Sequence, residues 1–179
     1  MHAKPLDLLP RRGRFWAMSS KHPPHPPAAP EAPSDPMAVA LGAAAQGAAA
    51  GEVPVGAVLL DAAGRILAVT HNRVEIDCDP TAHAEILAIR TASAMRQTPR
   101  LPDCTLFVTL EPCAMCAQAI AFARLRRLVF GAYDPKGGGV EHGARLFGQP
   151  TCHHQPEVIG GVREQESSVL LRVFFQSKR

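Results

Sequence analysis

Two short stretches concentrate the side chains that could do chemistry: His83-Ala84-Glu85 and Pro112-Cys113-Ala114-Met115-Cys116. Cys113 and Cys116 are spaced by about one helical turn, so both sulfurs can meet at one point beside a helix start. Pro112 suits the first position of that helix, where its missing N–H is not needed. The partial positive charge at a helix N-terminus favours thiolate over thiol. Two thiolates converging on one point suit a soft divalent cation, above all zinc. A lone C-x-x-C is equally compatible with a redox pair or half of a structural zinc site. The supply of further ligands narrows the choice. No second C-x-x-C is present, and Cys78, Cys104 and Cys152 stand singly. A structural zinc site needs four protein ligands, whereas His83 would make a third and leave the fourth position to water, as in catalytic zinc.

Glu85 follows His83 by two positions, and at a first helical turn both can line one cavity. H-x-E followed by P-C-x-x-C is the signature of zinc nucleobase deaminases. Glu52 to Val58 (EVPVGAV), Asp79 to Glu85 (DPTAHAE), Thr109 to Cys116 (TLEPCAMC) and Val129 to Ala132 (VFGA) extend it. With these, the chain resembles the bacterial tRNA-specific adenosine deaminases of the TadA type, within the cytidine/deoxycytidylate deaminase superfamily, over about residues 35–176. The resemblance implies adenosine-to-inosine conversion at the tRNA wobble position, tRNA recognised through its anticodon loop, one Zn2+ per chain and a homodimer. It also implies substrate contacts. Asn72 matches the asparagine that hydrogen-bonds the flipped base, Asp134 and Lys136 match a loop near the tRNA backbone, and His153 and His154 match an Asn-His pair near the substrate. Tyr133 departs from the family's usual basic residue, and Ser167 replaces a cysteine that is not a ligand.

The chemistry requires these residue types. Zinc brings water toward ionisation at neutral pH and so supplies hydroxide to attack the amino-bearing ring carbon. Glu85 can take the water's proton, pass it to the adjacent ring nitrogen, and then protonate departing ammonia. Taken alone, Glu85 would be an ordinary helix N-terminal acid favoured by the dipole. Its place beside His83 and the P-C-x-x-C motif makes it the expected proton carrier. Glu111 reads as structural, a carboxylate accepting backbone N–H bonds.

Composition sets the frame for that chemistry. The chain has 179 residues, 46% of them hydrophobic, enough for one domain with a real core. The net charge is +3, from 19 basic and 16 acidic residues, so the protein is not a globally basic nucleic-acid binder. Any RNA contact must rest on local patches: Arg124, Arg126 and Arg127, or Arg172, Lys178 and Arg179, each also readable as a solvated helix end. Five cysteines without a convincing signal peptide suggest a reducing, cytoplasmic setting. No apolar run approaches a membrane span. Residues 1–35 form a Pro-rich segment expected to be disordered or polyproline-II-like, with the deaminase domain over residues 36–179.

The positioning elements follow from periodicity and punctuation. Asp35-Pro36 reads as an N-cap and first helical residue, opening a helix over residues 37–50. Strands are expected over 55–60 and 65–71 as a hairpin, then over 105–110, 127–132 and, weakly, 156–161. Thr81 is expected to cap a helix over 82–95, and further helices over 113–125 and 162–176. In the last, Val169, Leu170, Val173 and Phe174 form the apolar face. Residues 134–143, with four glycines, read as a mobile loop. The fold class is α/β, a three-layer α/β/α sandwich around a central mixed five-stranded sheet of the cytidine deaminase-like kind, with the site at the carboxyl edge.

Three functions compete on these residues. The first is tRNA adenosine deamination. A second is deamination of a free base or nucleotide of the guanine or cytosine type, by the same chemistry. The third is a non-catalytic zinc-stabilised RNA-binding subunit, against which Glu85 argues.

Overall fold

A computed structural model describes residues 33–178. The expectations for residues 1–32 and for Arg179 lie outside the described residues. The first helix begins as its punctuation predicts. Asp35 has extended backbone and accepts the N–H of Ala38 at 3.0 Å, with Pro36 at the first turn of α1 (Pro36–Ala49). Gly51, at φ +90°, turns the chain into β1 (Gly56–Leu60). A tight turn follows, in which Asp61 Oδ1 accepts the N–H groups of Ala63 and Arg65, both at 2.9 Å. It returns the chain as β2 (Ile66–His71). Then come α2 (Ala84–Arg96), β3 (Thr105–Leu110), α3 (Ala114–Ala123), β4 (Arg127–Ala132), β5 (Glu157–Ile159) and α4 (Glu164–Ser177).

The five strands form one sheet in the order β2-β1-β3-β4-β5. β1 is antiparallel to both β2 and β3, while β3, β4 and β5 run parallel. Because side chains alternate across a strand, each central strand feeds two cores. Ala57, Leu59, Leu106, Val108, Leu128 and Phe130 face α2 and α3. Val58, Leu60, Phe107 and Val129 face α1 and, through Leu170, α4. The result is the expected three-layer sandwich around a mixed five-stranded sheet. Its parallel half aims the ends of β3 and β4 at one edge.

Local details differ from the sequence reading for identifiable reasons. Pro112 precedes the helix rather than opening it, because Cys113 is the N-cap of α3. Likewise Thr81 does not cap α2; its hydroxyl donates to Asp79 Oδ1 at 2.7 Å, and His83 is the N-cap. On α4, Val169 and Val173 face outward, and Ser167 is the buried residue. Gly131 on β4 has no side chain to hold α4 away, so the small Ser167 packs there and sets the rotation of the helix. A short 3-10 turn, Leu146–Gly148, was not signalled by any periodicity.

Candidate active site

His83 and Cys113 occupy the same position on two helices. Each is an N-cap with extended backbone, and neither side chain makes the usual capping bond to its own helix. Their side chains are therefore free to meet across the sheet edge. His83 Nδ1 lies 3.7 Å from Cys113 Sγ and 3.5 Å from Cys116 Sγ. Around a tetrahedral zinc with ordinary bond lengths, nitrogen and sulfur ligands stand about 3.6 Å apart. The donor atoms of all three residues lie within 4.8 Å of one another. Spacing and softness of the donor set both fit zinc.

Electrostatics point the same way. A hydrogen bond with the Cys116 thiol holds Cys113 down to about 4, and His83 adds to the effect against the opposing influence of burial. The same bond, together with burial, pushes the Cys116 thiol up. The opposed shifts are those of two sulfurs that share a hydrogen bond, and a soft divalent cation at their common point would let both act as thiolates. The hydrogen bond with Cys113 raises His83, with the Glu85 carboxylate contributing. Glu85 is buried on the first turn of α2, and that burial raises its carboxyl above the usual carboxylate range. Burial favours the protonated carboxyl more than solvent would, which suits a group that takes up and returns a proton.

These groups share a cleft of about 640 Å³, lined by Glu52, Asn72, His83, Glu85, Cys113 and Asp134 among others. That volume is typical of small-molecule sites. The loop after β4 closes one side. Glu111, at the end of β3, accepts from the backbone N–H groups of Asp134, Val140, Glu141 and His142 and pairs with His142 Nδ1 at 2.7 Å. The glycine-rich loop expected to be mobile is thus laced onto a buried carboxylate. Gly139 N–H also donates to the Pro112 carbonyl at 2.8 Å, which ties the loop to the Cys113 turn.

Residues 30–132 match the cytidine and deoxycytidylate deaminase zinc-binding region. The chain belongs to this deaminase family. Over 129 residues, 72% of this chain and 84% of the relative, it is 58% identical to a tRNA-specific adenosine deaminase of Agrobacterium fabrum. A solved structure from work on A-to-I editing by tRNA:A34 deaminases at the wobble position superposes with a TM-score of 0.74. That match has 54% identity and covers 76% of this chain and 98% of the other. The guanine deaminase of Nitrosomonas europaea is more distant, at 25% identity and TM-score 0.66, covering 90% of this chain and 98% of the other.

Within this deaminase the remaining expected residues divide. Asn72 is buried at the cleft and donates from Nδ2 to Glu52 Oε2 at 2.9 Å. Asp134 reaches the cleft, but its Oδ1 is occupied by the N–H groups of Lys136 and Gly137 and so shapes the loop. His154 is not brought to the cleft. Its Nε2 bonds the Leu125 carbonyl at 2.7 Å, at the opposite end of β4, and His153 is exposed nearby. Arg124, Arg126 and Arg127 share that far end, with Arg127 paired to Glu157. Tyr133 packs edge-on against Phe130 and His142.

The deaminase cleft also has a wall that the sequence reading did not place there. Phe174, expected on the buried face of α4, borders it with Phe175 and with Lys178 just past the helix, a candidate RNA contact, whose Nζ is 5.4 Å from the centre of the Phe174 ring. The doublet Phe174-Phe175 followed by a lysine was the available signal, since one aromatic of a pair must leave the helix's buried face. Glu52, fully buried, was the second omission.

Proposed function

We propose that this chain hydrolyses adenosine to inosine at the wobble position of tRNA anticodons, with one zinc ion per chain. The observation that carries the reading is a single cleft lined by His83, Cys113, a buried Glu85 and the Asn72 amide, with the Cys116 sulfur clustered behind at a spacing that suits zinc. Its likeness to tRNA-specific adenosine deaminases selects the substrate. His83 Nδ1 and the two sulfurs would hold the zinc, which acidifies water and so supplies a nucleophile at neutral pH. Water adds at the amino-bearing ring carbon, that C–N bond breaks, and ammonia leaves. Glu85 holds the water's proton on a carboxyl oxygen, delivers it to the adjacent ring nitrogen, and serves again at the departing amine. Asn72 orients the base, and Asp134 keeps the loop wall in shape. Phe174 and Lys178 offer an aromatic face and a positive charge at the mouth, suited to an unstacked base and its phosphate.

The chain works as a homodimer in this reading. Phe122 and Met95 are 70% and 60% exposed at the C-terminal ends of α3 and α2, an apolar pair on one layer that a second copy would cover. Sedimentation of wild type and Phe122→Glu tests this, with a shift to monomer expected. Residues 36–179 form the deaminase domain in this reading, with Asp35 capping its first helix. No described helix is long and apolar enough to cross a membrane. The five free cysteines suit a reducing cytoplasm. The deciding experiment measures inosine and ammonia release from an anticodon stem-loop, free guanine and free cytosine. Turnover confined to the stem-loop is expected. Turnover of guanine alone would move the chain to the second reading, which its likeness to the Nitrosomonas enzyme favours.

A further inference from the structure

Glu52 and Asn72 form a buried pair at the foot of the cleft, and the pair has a polarity. Glu52 is fully buried, at 0% exposure. Its Oε1 accepts the backbone N–H of Ile76 at 2.9 Å, and its Oε2 accepts Nδ2 of Asn72, also at 2.9 Å. Both Glu52 carboxyl oxygens thus accept N–H groups, and that pattern selects the amino end of the Asn72 amide over its carbonyl end. Away from water that preference is enforced strongly, because a mispaired polar atom finds no substitute partner. Among the described residues Asn72 Oδ1 accepts no hydrogen bond, yet it is not an orphaned buried atom. It remains open on the cleft side of the pair.

We propose that Glu52 is a positioning residue, whose buried carboxylate locks the Asn72 amide so that the cleft presents a fixed acceptor, Oδ1, beside one spare N–H. This inference rests on the adenosine reading of the site. An adenine edge carries the complement, an N6 amino donor next to the N7 acceptor, and a side-chain amide pairs with both. A guanine edge offers two acceptors there, O6 and N7, and the locked carbonyl would oppose O6. Glu52 thereby gives Asn72 a preference that a freely rotating amide lacks.

Side-chain amide spectra of the full chain with zinc bound test the lock directly. In wild type one Asn72 Nδ2 proton should lie well downfield of its geminal partner, and Glu52→Gln should abolish that separation. Kinetics on an adenosine anticodon stem-loop test the consequence. Glu52→Gln should lower kcat/KM about ten- to a hundredfold, chiefly through KM, with zinc content unchanged. The new amide at position 52 can donate, so adding Asn72→Asp restores a donor–acceptor pair between the two positions, but the carboxylate has no N–H for the base N7. The double variant should therefore stay as impaired on the stem-loop as Glu52→Gln. Asn72→Asp alone sets two carboxylates together and should be the worst of the three. A Glu52→Gln variant within twofold of wild type, or a double variant restored to wild-type turnover, would overturn the proposal. Should Glu52→Gln fail to fold, the wild-type spectrum decides, and two Asn72 protons of ordinary separation overturn the lock. A wild type inert on the stem-loop would overturn the adenosine reading instead, while a downfield Asn72 proton would still support the lock.

Discussion

Five thiols in one chain behave in different ways, and their surroundings say which. Cys113→Ala should lose zinc, measured as metal per chain after gel filtration, together with activity, because two ligands do not hold a catalytic ion. Glu85→Ala should keep its zinc and its fold while turnover falls by about 10²–10⁴, the usual loss of a general acid–base. Near-normal turnover would remove Glu85 from the proton path. Cys104 is buried and its thiol is pushed up to about 12 by that burial, whereas Cys78 is exposed. A maleimide reagent should therefore label Cys78 in the native protein and leave Cys104 intact until denaturation. The clustering of His83, Glu85, Cys113 and Cys116 was legible because the two motifs that carry it, H-x-E and P-C-x-x-C, are each local and chemically demanding. Glu52 was not, since its partner lies 20 positions away and only the fold brings the two together.

At the scale of elements, the hairpin turn between β1 and β2 depends on Asp61. Burial pushes its carboxyl up, but the backbone N–H of Arg65, its guanidinium and the N–H of Ala63 outweigh that and hold it below the ordinary range. A depressed carboxyl stabilises the fold above the unfolded value near about pH 4, and that stability is lost as pH falls through the folded value. Asp61→Asn should thus cost about 1–3 kcal/mol at neutral pH, with the gap in Tm closing on acidification. A gap constant down to low pH would refute it. On the opposite layer the buried Ser167 hydroxyl has no hydrogen-bond partner among the described residues. Ser167→Ala should stabilise the protein by up to about 1 kcal/mol in denaturant titrations. Strand and helix order were readable from periodicity, and β3 and β4 fell at their expected residues. The helix starts were misread because ordinary capping chemistry favours Thr81 and Pro112, while here His83 and Cys113 take the cap positions. The rotation of α4 escaped because it depends on Gly131, a residue of another element.

For the whole molecule, charge limits how the substrate is held. The net charge is only +3, and the basic cluster at Arg124, Arg126 and Arg127 lies at the far end of β4 from the cleft. Stem-loop binding should therefore fall gently with salt, at about −0.7 in the log–log slope for each phosphate neutralised, with few phosphates engaged. Lys178→Ala should flatten the slope by about one such step, and Arg124→Ala should leave it unchanged. His83 on α2 is separated from Cys113 on α3 by 30 residues. A metal shared between them would be a cross-link, closing a loop of chain that includes α2 and β3. Ligands that bind only the folded state stabilise it by mass action, by about 2.7 kcal/mol at a hundredfold excess over Kd. Tm should rise with free zinc and fall with a chelator in wild type and in Glu85→Ala, and respond to neither in Cys113→Ala. Zinc supply would then govern how long the chain resists proteases as well as how fast it turns over.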